Sequence, residues 1–165
     1  MPTETTPFLL APGEGAKVPN PLGGDIVFKL ESARCGGATT VFETAPLPGE
    51  GPPMHFHESQ DEWILVLDGA FRFLMDDELL PAPAGTFVFL PRRFPHTWQN
   101  AGPVTGRLLI AFNPPALEGF FRSFAALPEG AATPNAFRVL AEEAEMVIVG
   151  PPLALSHPLP EPDPT

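Results

Sequence analysis

The sequence predicts an all-β fold, an antiparallel sandwich or barrel followed by helices, and three observations carry that prediction. Short apolar or alternating runs recur from Ile26 to Phe112, each cut by turn residues. Gly and Pro, 15 and 24 of 165 residues, reach about twice their usual share. Beyond Asn113 the apolar spacing changes from a strand period to a helical one.

Residues 1–24 are rich in Pro, Gly and Thr and read as an extended N-terminal arm. Within residues 25–113 the runs are IVFKL (26–30), TTVFET (39–44), EWILVL (62–67), AFRFLM (70–75), GTFVFL (85–90) and RLLIAF (107–112). β-Branched and aromatic residues at this spacing, between breakers such as Gly36-Gly37, Asp68-Gly69 and Asp76-Asp77, are the pattern of short strands in one barrel. Residues 114–150 read as a helical segment packed on that barrel. Asn113-Pro114-Pro115 predicts a cap, followed by Leu117, Phe120, Phe121, Phe124 and Leu127 at helical spacing. Thr133-Pro134 predicts a second helix, with Phe137, Leu140, Ala141 and Ala144 on one side. Both stripes read as core contacts. VIVGPP (147–152) has the composition of a short strand or docked segment, and residues 151–165 read as a Pro-rich, disordered tail.

Nine basic against twenty acidic residues give a net charge of −11. That balance argues against nucleic acid and anionic membrane surfaces, both of which need clustered cations on the protein. No apolar run has the length needed to cross a bilayer. The start, MPTETTPFLL, lacks the basic and apolar regions of a signal peptide. Cys35 is the one cysteine and has no internal disulfide partner. A cytoplasmic protein is the resulting expectation.

Three of the four histidines share one pattern with an acid. His55 and His57 are two residues apart, which places both imidazoles on one face of a strand. Beyond four intervening residues Glu62 opens the next run, with room between for a turn that brings it back to the same point. Glu58 falls on the opposite face and Asp61 is one residue out of register, so alternation favours Glu62, with Ile64 and Val66 on its side. His96 follows the run that Gly85 opens and Pro91 ends. Three neutral imidazoles and a carboxylate suit one divalent ion of Fe, Mn, Co, Ni, Cu or Zn.

Gly49, His55, His57, Glu62 and Gly69 match every position of the first cupin motif, and Gly85, Pro91, His96 and Asn100 match the second. The sequence therefore resembles the small bacterial single-domain cupins described as quercetin dioxygenase-like. One position departs: Arg93 stands where the motif has an inner Gly. A turn that needs positive φ there strains a non-Gly residue by about 1–2 kcal/mol. The resemblance implies a double-stranded β-helix of jelly-roll type, open at one end, with the metal in its mouth.

It also implies a chemistry: a metal-dependent dioxygenase on a small aromatic or enolic substrate, in which Glu62 acts as base on a substrate hydroxyl. The alternatives are a non-catalytic small-molecule binder and a metal-dependent isomerase or lyase. Alternation places Trp98 on the face of His96, and Phe42, Phe73, Phe89, Phe112 and Ile64 are further candidate walls of a greasy pocket. The expected partners are a small-molecule ligand and a second copy of the chain. A homodimer would cover sheet edges that are otherwise exposed, with the arm around Phe8, Leu9 and Leu10 as one means of doing so.

Overall fold

The computed structural model describes residues 5–20 and 23–160. Its strands are β1 (Ala16–Asn20), β2 (Gly23–Leu30), β3 (Thr40–Thr44), β4 (Pro53–His57), β5 (Asp61–Asp68), β6 (Ala70–Met75), β7 (Glu78–Pro83), β8 (Phe87–Leu90), β9 (His96–Asn100), β10 (Arg107–Asn113) and β11 (Met146–Pro152). They form two sheets, ordered β1-β2-β3-β10-β5-β8 and β11-β4-β9-β6-β7. Every pairing is antiparallel. This is the antiparallel sandwich that the spacing of runs and breakers predicts, in the double-stranded β-helix arrangement that the resemblance implies.

Side-chain alternation decides what each strand buries. On β5, Glu62, Ile64 and Val66 are buried, and Trp63 and Leu65 between them are only partly covered. In the same register Ile64 faces Ile110 of β10, which faces Phe42 of β3, which faces Phe28 of β2. Such rows of apolar side chains fill the space between the sheets, and full burial of each contributes about 1.5–3 kcal/mol. On β8 the inward positions are Val88 and Leu90, so Phe89 lies on the outer face beside Trp63 and is no part of a pocket. The β6–β7 hairpin turns through Asp76 and Asp77, both at positive φ (49° and 61°), as a two-residue primed turn requires.

Arg93 takes the glycine conformation, with φ 64°. The motif turn is therefore kept and the arginine absorbs its strain. Two contacts hold it there. Its N–H donates to the His57 carbonyl at 2.7 Å, and its Nε donates to Glu58 Oε2 at 3.1 Å.

The helices follow the barrel. Helix α1 spans Glu118–Ala125, later than the predicted cap at Asn113, because Asn113 is still paired with Asp61 as the last residue of β10. Leu117, at φ 66°, precedes the helix instead. The Glu118 carboxylate ties α1 to the first sheet by accepting from the Ser32 N–H at 2.7 Å and from the Thr40 hydroxyl. Helix α2 (Pro134–Glu143) starts as its sequence predicts, with the Thr133 hydroxyl accepting from the Ala136 N–H.

Two stretches are more ordered than their composition suggests. Within the arm, β1 joins the first sheet as the partner of β2, and Phe8 lies under the Arg34 guanidinium, 3.6 Å from ring centroid to Cζ. Past β11, Leu153–Ser156 form a single helical turn, α3, with Leu153 buried. Residues 1–4 and 21–22 of the arm and 161–165 of the tail lie outside the described residues.

Candidate metal centre

Both sheets contribute to one buried group. β4 presents His55 and His57 inward, and β9 places His96 directly opposite His55. Glu62 arrives from β5 in the facing sheet. The ligand atoms of these four residues all lie within 4.8 Å of one another. No side chain of the four is more than 4% exposed, so water cannot satisfy them freely. All four residues singled out in the sequence thus come together.

The hydrogen bonds orient the rings toward a common point. His55 Nδ1 lies 2.8 Å from the Pro53 carbonyl oxygen, and His96 Nδ1 lies 2.9 Å from the Phe94 carbonyl oxygen. A carbonyl only accepts, so each Nδ1 carries the proton and each neutral ring turns a lone pair on Nε2 toward the centre. His96 Nε2 is then 3.0 Å from Glu62 Oε2, two acceptors in contact. Such a contact needs a positive centre, a proton or a metal ion, to hold it. His57 makes the same point from the other side. Both its ring nitrogens are buried without a hydrogen-bond partner, and its Nε2 lies 3.4 Å from Glu62 Oε2. Buried polar atoms left unpaired are costly, and a divalent ion fits this donor set.

Electrostatics favour the ligand-competent forms. Burial, then the neighbouring His96 and His57, push the His55 pKa well below the usual imidazole range, against the pull of Glu62 and the Pro53 carbonyl. For Glu62, burial opposes ionisation, but the adjacent imidazoles of His57 and His96 outweigh it and hold the carboxyl well below the usual carboxylate range. The competing carboxylates point elsewhere. Asp61 holds Arg92 at 3.0 Å, and Glu58 holds Arg93.

A cavity of about 270 Å³ opens beside the group and touches His55, His57 and Glu62. Phe42, Trp98 and Phe112 are on its wall, and the Phe112 ring lies 4.8 Å from that of His57. Phe73 and Ile64 are not on that wall. They are fully packed in the half of the sandwich toward β6 and β5, whereas the cavity lies toward β1–β3, β4 and β11. Sequence reasoning favoured core contacts over a ligand-lining role for the phenyl groups of the helices. Phe120, Phe121 and Phe124 of α1 and Phe137 of α2 also border the cavity. The one signal for them was the phenylalanine-rich stripe itself.

Comparison with known proteins agrees with this architecture. The cupin domain family matches residues 43–112, which contain all four side chains of the group. Protein SchB of Streptomyces halstedii is 32% identical over 93 residues, 56% of this chain and 67% of that protein. Quercetin 2,3-dioxygenase of Bacillus subtilis is 30% identical over 102 residues, 60% of this chain but 29% of the dioxygenase. Among solved structures, KdgF from Halomonas sp. superposes with a TM-score of 0.58 at 17% identity, covering 66% of this chain and 94% of that one.

Proposed function

This chain belongs to the cupin family, and from that premise we propose that it is a metal-dependent dioxygenase acting on a small aromatic or enolic substrate. The observation that carries the reading is the junction of a buried three-histidine, one-carboxylate group with a cavity walled by phenyl and indole rings. His55, His57, Glu62 and His96 would hold one divalent ion. When bound, such an ion would supply open positions for substrate oxygen and for O₂.

The chain's own residues do the rest. Phe42, Phe112 and Trp98 pack against the faces of a flat substrate and keep water from it. Glu62, already ionised and in reach of the same point, takes the proton of the substrate hydroxyl at Oε2. A polar metabolite of the kind an isomerase or lyase handles would meet few hydrogen-bonding groups on these walls. The test is oxygen consumption by iron-, nickel- or manganese-loaded protein with flavonols, catechols and β-diketones. Uptake with at least one class, abolished in Glu62→Gln, supports the reading. Tight binding of these compounds without oxygen uptake under any metal makes the protein a binder rather than an oxygenase.

Two further proposals concern the whole molecule. A homodimer is supported by the edge strand β8, which exposes Phe87 and Phe89 beside Trp63, and light scattering tests it. Residence in the cytoplasm is supported by the acidic charge and the single free cysteine, and fractionation of cells tests it. No helix among the described residues is long and apolar enough to cross a membrane.

A further inference from the structure

Three threonines of the barrel are buried: Thr40, Thr44 and Thr97. Two have paired hydroxyls. Thr40 donates to Glu118, and Thr97 donates to the Pro52 carbonyl at 2.7 Å. Among the described residues the Thr44 hydroxyl has no such partner, although the residue is only 7% exposed. Its surroundings are apolar: Leu108 and Ile26 lie directly across from it on the two neighbouring strands, and Val66 lies beyond Leu108. Valine would fill that place with the same shape and no hydroxyl to satisfy. Yet Thr44 lines the same cavity that touches His55, His57 and Glu62.

The register gives the distance between the two ends. Glu62 is level with Phe112, while Val66 is level with Leu108 and so with Thr44. Four residues of strand separate these rows, about 13 Å along the strand direction. Between them the wall is Phe42 and Ile110.

We propose that Thr44 is a specificity-determining residue, whose hydroxyl hydrogen-bonds a polar substituent at the end of a planar ligand remote from the metal group. The ligand class is therefore narrower than any flat aromatic. It carries a chelating oxygen pair at one end, apolar rings in the middle, and a hydroxyl or carbonyl at the far end. This inference rests on the metal reading above. The polar group belongs on the ligand because a site that must hydrogen-bond a substituent discriminates strongly against analogues lacking it.

The experiment compares two probes, 3-hydroxyflavone and 3,4′-dihydroxyflavone, binding to nickel-loaded wild type, Thr44→Val and Thr44→Ser by calorimetry. Wild type should prefer the dihydroxy probe by about two- to twelvefold, the range of one net hydrogen bond. Thr44→Val should lose that preference while binding 3-hydroxyflavone as before, and Thr44→Ser should keep it. An unchanged preference in Thr44→Val overturns the proposal. So does an equal loss of both probes, which would mean that Thr44 serves packing alone. If neither probe binds wild type, the proposal falls. If both bind equally well to metal-free and nickel-loaded protein with no preference, the metal reading falls with it. Metal-dependent binding without a preference overturns only the role of Thr44.

Discussion

Replacing Trp98 by Ala separates the role of the cavity from that of the His/Glu group. The indole borders the cavity, is half-buried, and meets Phe71 edge-on at 5.9 Å between ring centroids. Truncating a fully buried Trp costs about 3–5 kcal/mol, so a half-buried one should cost about 2 kcal/mol. In a chain of this size that lowers Tm by about 4–8 °C, leaving the protein folded at room temperature. The loss of one aromatic contact, about 0.5–1.5 kcal/mol beyond burial, should weaken a planar ligand such as 3-hydroxyflavone by about two- to twelvefold. Trp98→Phe keeps a ring against Phe71 and should lie between wild type and the Ala variant. Metal content should be unchanged in both, since no residue of the His/Glu group is touched. Calorimetric titration of the ligand into metal-loaded protein reads the affinity, and thermal unfolding reads the stability. A folded Trp98→Ala that binds the ligand as tightly as wild type refutes the reasoning, because the indole would then be no part of the binding wall.

Other outcomes follow from the same geometry. Removing the metal with a chelator should lower Tm by about 5–11 °C relative to protein held at a hundredfold excess of metal over its Kd, a linkage of about 2.7 kcal/mol. His57→Ala should show no such difference, which differential scanning calorimetry can read. At the strained turn, Arg93→Gly should be more stable than Arg93→Ala by about 1 kcal/mol in urea denaturation. Both variants lose the exposed ion pair with Glu58, and only Gly relieves the positive φ. Equal stability of the two would mean that the turn relaxes around alanine at no cost.

The His/Glu group was legible because its information is local. A His-x-His pair on a strand and a carboxylate beyond four intervening residues need only period-two alternation to be placed facing one point, and that alternation holds through β4 and β5. Arg93 was legible for a similar reason, since a turn position that wants glycine is a statement about one φ angle. The cavity wall was not, because it depends on which half of the sandwich stays open. Phe73 and Ile64 obey the same alternation as Phe42 and Phe112, but they sit where the sheets close on each other. The phenyl groups of α1 and α2 reach the cavity only through tertiary docking, set by contacts such as Glu118 with Ser32 and Thr40 far away in the chain. β1 was hidden as well: AKVPN has little strand character of its own and gains it by pairing with β2.

Elemental analysis of the purified protein tests the central claim most directly. It would compare wild type, His57→Ala and His157→Ala, prepared identically and dialysed against metal-free buffer. His157 is exposed, outside the group, and bonded through Nδ1 to Ser156, so its loss should be silent. Wild type and His157→Ala should each carry about one divalent transition-metal ion per chain, and His57→Ala should carry almost none. Equal occupancy in all three proteins would contradict the account, because the buried group would then not be where the metal is held.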